Sequence, residues 1–278
     1  MFGYLIVVNK HNDYNYLGMA NLLAATIKQT QKEGYDNVAL VVEDVEQRDK
    51  IFGNPFFDKV IINNDHTHWD NRSFMFTLSP WTQTVCLDAD MVMLRDTSHW
   101  IKHFQQENIG LYICNKVKDF RGNITDNSYN RPNYKKNDLP ILYSGYTYFD
   151  KNSGIAQDFF TLVETITENK DLFSNYFLYK SKPEVLGTDE IFSLAAKILG
   201  VEMHDISFPS FVHGKSSVQN CQINSIENDL GHYIDENGRI KIGVYSQTDI
   251  YHYAEKSFPG VELYDLIRNK MFKGLKCL

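Results

Sequence analysis

The chain runs to 278 residues, 43% of them hydrophobic and 14% aromatic, which suits one large packed domain or two modest ones and excludes a disordered chain. A formal net charge of −7 argues against a surface built to grip nucleic-acid backbone, though not against a local basic groove. No apolar run approaches the ~18 residues a bilayer span requires, and Met1 to Val8 lacks the basic start and the length of a signal peptide.

In chain order, Tyr4 to Val8 reads as a short buried strand rich in β-branched residues. Asn9 to Asn15 is a polar turn. Leu17, Ala20, Leu23, Ala24 and Ile27 then recur at helical spacing across Tyr16 to Thr30. Val38 to Val42, Lys59 to Ile62 and Thr84 to Leu87 predict three more strands, with a short helix over Ser73 to Leu78. Thr97 to Gln105 predicts a helix and Ile109 to Cys114 a strand. Lys116 to Leu139 is polar and contains a proline, which predicts a long surface loop of the kind that carries function. Leu142 to Phe149 resumes strand character, and Ile155 to Thr167 and Thr188 to Leu199 predict helices. Ile250 to Tyr253 predicts a strand and Val261 to Met271 a last helix.

Strands alternating with helices define an α/β chain whose sheet is mainly parallel and flanked by crossover helices. Neither a repeat nor a linker interrupts it, so a single domain over 1–278 is expected, its second half adding to the first. The four cysteines, Cys86, Cys114, Cys221 and Cys277, show no zinc-type spacing, and the chain reads as soluble and cytoplasmic.

The richest chemistry lies in Thr84 to Leu94, where Asp88-Ala89-Asp90 sits between two apolar runs. On an extended backbone, residues two apart face the same side, so the two carboxylates would converge. Like charges beside a buried strand repel each other, and desolvating either is costly. A divalent cation resolves the conflict, and hard oxygen ligands suit Mg²⁺ or Mn²⁺. An Asp-x-Asp triplet is common by chance. This one, however, ends an apolar strand of an α/β chain, where ligands gather. An ordinary capped strand end is the alternative reading.

The segment Arg72 to Leu94, with Leu78-Ser79-Pro80-Trp81 ahead of Val85-Cys86-Leu87-Asp88-Ala89-Asp90, resembles the GT-A glycosyltransferases, particularly glycosyltransferase family 8. In that family a basic residue stands sixteen positions before the first Asp, and Arg72 occupies that place. The resemblance implies a Rossmann-like GT-A domain with a nucleotide-sugar and metal half over 1–115 and an acceptor-side elaboration over 116–278. It implies that Asp88 and Asp90 hold Mn²⁺ (or Mg²⁺) against a nucleotide-sugar diphosphate, and that Arg72 contacts the donor. A solvated helix start is the plainer reading of Arg72.

The family also carries a late metal-binding His followed by a phosphate-reaching Lys. Two segments fit: His252 with Lys256, and His213 with Lys215. The later His252 is preferred as the third metal ligand, and a hydrogen-bonded core histidine is the alternative. An imidazole beside two carboxylates tilts the site from Mg²⁺ towards Mn²⁺. The usual His-x-x-Gly-x-x-Lys-Pro-Trp ending is missing.

By the same resemblance Asn9 reads the donor base and Tyr14 stacks on it, which points to a UDP-linked sugar. Tyr143-Ser144-Gly145 resembles a Phe-Asn-Ser-Gly segment in which Tyr143 has replaced the Asn. Ser144 and Gly145 are then donor contacts, unless Gly145 marks only a strand bulge. Asp189, opening a helix after Thr188 at the N-cap, would contact the transferring sugar rather than serve capping alone. Lys256 or Lys215 would add a fixed positive charge to the leaving diphosphate.

The reading is therefore a metal-dependent transferase moving a sugar to a hydroxyl acceptor, and family 8 implies retention of configuration. The acceptor is a glycan, a lipid-linked glycan or a small molecule. Modified DNA, as in phage-type glycosylation of hydroxymethylated pyrimidines, is a minority alternative. It draws on the basic residues Lys116, Lys118, Arg121, Arg131, Lys135 and Lys136, for which a solvated loop is the preferred reading. The expected setting is the cytosol of a bacterium or a phage-infected host. Two rivals are a nucleotidyltransferase, weakened by the Gly-free turn from Asn9 to Asn15, and a non-catalytic nucleotide-sugar-binding protein.

Overall fold

The computed structural model describes residues 1–11, 13–64, 72–125, 132–177, 186–204, 206–222, 226–235 and 239–253. The expected helix from Val261 to Met271 lies outside them. The first half runs β1 (Phe2–Val7), α1 (Tyr16–Thr30), β2 (Val38–Val42), α2 (Val45–Lys50), β3 (Lys59–Ile62), α3 (Met75–Leu78), β4 (Gln83–Leu87), β5 (Met91–Met93), α4 (Ser98–Gln106) and β6 (Leu111–Cys114). The second runs β7 (Val117–Lys118), β8 (Ile124–Thr125), α5 (Pro132–Asn137), β9 (Tyr143–Asp150), α6 (Gly154–Glu168), α7 (Lys170–Phe177) and α8 (Thr188–Leu199). Then come β10 (Phe211–His213), α9 (Gly214–Asn220), α10 (Ile226–Leu230), β11 (His232–Ile234), β12 (Ile240–Ile242), β13 (Tyr245–Ser246) and β14 (Ile250–His252).

The main sheet has the order β3-β2-β1-β4-β9-β6. The pairs β3/β2, β2/β1 and β1/β4 are parallel, and β9 runs against both β4 and β6. Its near-continuous apolar strands follow from cover on both faces. Tyr4, Ile6, Leu40, Val85 and Leu87 enter a core shared with α1 and α4, while Leu5, Ala39, Val41 and Cys86 enter one shared with α6 and α8. Each fully buried Leu, Ile or Phe here contributes about 1.5–3 kcal/mol. Burial pushes the Cys86 and Cys114 thiols up to about 11 and about 12, so both behave as small hydrophobes.

A second sheet, β5-β14-β10-β7-β8, and a third, β11-β12-β13, extend the first core, which continues through Val212 and Ile250 to Ile240 and Ile242. The chain passes directly from the main sheet (β4) to the second (β5) through residues 88–90, so the acidic triplet sits where the two sheets meet.

Three expectations need correction. Asp88-Ala89-Asp90 is a turn and not an extended strand, so the carboxylates are brought together by chain reversal between sheets rather than by strand alternation. Lys116 to Leu139 is not one loop. Val117–Lys118 and Ile124–Thr125 pair as a short hairpin in the second sheet, and Pro132–Asn137 is a helix turn. Helix α8 begins one residue earlier at its cap: Gly187 is the N-cap, and its backbone N–H donates to Glu190 Oε2 at 2.7 Å.

Candidate functional site

The turn bearing the two acids is pinned from both sides. The Asp88 N–H donates to Gly145 O of β9 at 3.2 Å, and the Tyr253 N–H just after β14 donates to Asp90 O at 3.2 Å. Because β14 pairs antiparallel with β5, His252 lies opposite Met91, the residue after Asp90. Ligand atoms of Asp88, Asp90 and His252 consequently all lie within 4.8 Å of one another. His252 Nε2 is 2.9 Å from Asp90 Oδ2 and 4.0 Å from Asp88 Oδ2.

The electrostatics suit a cation. Desolvation lowers the His252 pKa to about 4, so at neutral pH the ring is uncharged and its nitrogen is chemically able to ligate. A neutral imidazole does not cancel two carboxylates. Arg72 forms an ion pair with Asp88, and although burial opposes its charge, the neighbouring carboxylate holds the guanidinium protonated. Two carboxylates and one imidazole at this spacing are a donor set that fits a divalent ion.

The acids open onto a cleft of about 650 Å³ between the C-terminal ends of β1 and β4, the start of β9, the start of α8 and the ends of β10 and β14. Such volumes accommodate small-molecule and cofactor ligands. The cleft gathers Asn9, Tyr14, Arg72, Asp88, Ala89, Asp90, Ser144, Asp189, His213, Lys215 and His252, nearly all the residues singled out in the sequence. Lys256 lies outside the described residues. Gly145 stands behind the wall.

Asp189 lies in the first turn of α8, after the N-cap Gly187. Its Oδ1 accepts hydrogen bonds from the Ser144 backbone N–H (2.9 Å) and hydroxyl (2.7 Å), which ties the start of α8 to β9. The β6–β9 register shifts between Ile113 and Cys114, which pair with Thr147 and Tyr143, so the β6–β9 pairing is irregular where Ser144 and Gly145 lie. A Cβ on Gly145 would lie 2.6 Å from Asp88 Oδ2 and meet the Tyr143 ring. Gly145→Ala should therefore displace the Asp88 carboxylate. We expect at least about tenfold weaker Mn²⁺ binding in a calorimetric titration, with about 1–3 kcal/mol lost in denaturant unfolding. Wild-type binding in that variant would show that the close approach is unimportant.

Several cleft residues were given no site role from the sequence, among them His11, Tyr16 and Tyr143. His11 lies 4.7 Å ring to ring from Tyr14, and Tyr16 lies 6.1 Å from Tyr14, so three rings group in the cleft lining where one was expected. Tyr143 had been considered only as the replacement of an Asn, yet its hydroxyl sits between His213 and His252. An aromatic in so Tyr-rich a chain gives no local signal, and only the meeting of two sheets reveals it.

The parallel strands, the reversed β9 and the second sheet crossing at the acidic turn define the GT-A fold. Solved structures bear this out. Mouse xyloside xylosyltransferase 1 superposes with a TM-score of 0.54 at 11% identity, covering 91% of this chain and 97% of that one. The WbbM bifunctional glycosyltransferase gives 0.54 at 12% identity, covering 98% of this chain but 49% of that one. Galactosyltransferase LgtC, a family 8 member solved with donor and acceptor sugar analogs, gives 0.50 at 9% identity over 100% and 97%. At such identities the likeness is one of fold. No protein-family model matches the chain, and no curated protein does.

Proposed function

We propose that the chain is a metal-dependent glycosyltransferase that moves a sugar from a UDP-linked donor to a hydroxyl acceptor with retention of configuration. The observation carrying this reading is the Asp88, Asp90 and His252 group, facing a cleft at the strand ends of a GT-A fold. A divalent cation held there supplies Lewis-acid neutralisation of the departing diphosphate.

The remaining work falls to side chains. Arg72 and Lys215, both on the cleft wall, add positive charge towards the phosphates. Asn9 meets the base, and Tyr14 offers a flat face for it, with His11 beside that ring. Ser144 fixes the Asp189 carboxylate, which orients the transferring sugar. Lys256 is proposed as a further phosphate contact.

A glycan, lipid-linked glycan or small-molecule hydroxyl is preferred to modified DNA as acceptor. Among the described basic residues here, Lys118 lies in a hairpin strand and Lys135 and Lys136 in a helix, and Lys118 Nζ lies 3.9 Å from Asp249 Oδ2. Among the described residues no helix is long and apolar enough to cross a membrane.

Thermal unfolding with a panel of nucleotide sugars tests the donor assignment. A UDP-sugar at 100 times its Kd should stabilise the fold by about 2.7 kcal/mol, with Mn²⁺ present. A GDP- or other nucleotide-sugar hit in place of UDP would overturn the base assignment. A hit indifferent to Mn²⁺ would favour a non-catalytic binder.

A further inference from the structure

His213 and His252 occupy paired positions on the adjacent parallel strands β10 and β14, so both rings leave the second sheet on one face. Their centroids are 4.8 Å apart, and both residues are buried. From the main sheet, Tyr143 places its hydroxyl between them, 2.9 Å from His213 Nε2 and 3.1 Å from His252 Nδ1. The far nitrogen of His213 accepts the backbone N–H of Ser216 at 3.1 Å.

A backbone amide can only donate. Ser216 Oγ lies 2.6 Å from the same nitrogen, Nδ1, and can donate as well, so with both Ser216 groups donating a neutral His213 carries its proton on Nε2, aimed at the Tyr143 oxygen. That leaves the Tyr143 O–H to donate to His252 Nδ1, which puts the His252 proton on Nε2, the nitrogen that stands 2.9 Å from Asp90 Oδ2. A cation at Nε2 needs the opposite tautomer, with the proton on Nδ1. The phenol oxygen has two lone pairs and accepts that proton when its own O–H turns aside. Ring nitrogens of metal-ligating histidines are usually fixed by carboxylates, carbonyls or water. Here a phenol stands in that place, and it is compatible with both tautomers.

We propose that Tyr143, braced by His213, is the positioning residue that fixes the ring of His252 and lets its tautomer change as a divalent cation is bound or lost. The inference rests on the proposed metal reading and names a role that Asp88, Asp90 and His252 do not themselves perform.

The test uses the full chain and Mn²⁺ alone, with free ion read by electron paramagnetic resonance. Tyr143→Phe keeps the ring and removes the hydroxyl, so Mn²⁺ should bind about 10- to 100-fold more weakly. His213→Gln should weaken binding too, and the double variant should be no worse than Tyr143→Phe, because His213 acts through that hydroxyl. In the metal-free chain, long-range ¹⁵N spectra should show His252 protonated at Nε2, assigned by its disappearance in His252→Ala, and mixed in Tyr143→Phe.

Wild-type Mn²⁺ affinity and unchanged His252 signals in Tyr143→Phe, with binding lost in His252→Ala, would overturn the positioning role and leave the metal site standing. A wild-type chain that binds no Mn²⁺ would overturn both. Should Tyr143→Phe fail to fold, His213→Gln carries the test, and wild-type affinity there would remove the brace.

Discussion

Asp90→Asn is expected to lower sugar transfer by at least about 10³-fold, corresponding to about 4 kcal/mol of lost transition-state stabilisation. The substitution keeps the shape of the side chain and its backbone contact to Tyr253, and removes one charged oxygen from the group formed with Asp88 and His252. Only interactions stronger in the transition state than in the ground state accelerate the reaction, and charge on a departing diphosphate develops there. The same variant should not lose stability in chelator, because two neighbouring carboxylates repel when no cation lies between them. Loss of activity with an unchanged or raised Tm would thus separate a metal ligand from a structural acid. Full transfer by Asp90→Asn would remove the clamp from the mechanism.

Asp189→Asn should lower kcat by about 10²- to 10³-fold while leaving Mn²⁺ affinity within about twofold of wild type. An Asn can still accept both Ser144 donors through its amide oxygen, so the geometry at 2.9 and 2.7 Å survives and only the charge is lost. A residue orienting sugar in the transition state alters turnover, whereas one belonging to the metal site alters Mn²⁺ binding as well. An equal loss in both quantities would move Asp189 to the metal side, and no loss in either would return it to a helix-start role.

Much of this arrangement was legible beforehand because it depends on local pattern. The runs at Tyr4, Val38 and Thr84 are short, apolar and β-branched, and the spacing of Leu17 to Ile27 is helical, so the parallel sheet and α1 follow directly. The acidic triplet stood out since two acids after a buried strand break the hydrophobic pattern. What failed was the geometry assigned to it, as a turn and a strand end look alike over three residues.

Elements of two or three residues, such as β7, β8 and β10, carry no usable period, so the stretch after Lys116 read as loop. The choice between His213 and His252 was equally beyond local pattern. It depends on which strand lies beside β5, and pairing of β14 with β5 sets His252 next to Asp90, while His213 stands one strand further away. Tyr143 joins them from another sheet, a contact spanning 70 residues to one partner and 109 to the other.

The central claim is that a cation in this cleft draws charge from a departing nucleoside diphosphate. Incubating the wild-type chain with a UDP-sugar and following release of UDP by chromatography measures this most directly, because water can replace an unknown acceptor. UDP release should require Mn²⁺, stop in excess chelator, and resume when the ion is restored. Release at the same rate in chelator, or none with any UDP-sugar in the presence of Mn²⁺, would contradict it.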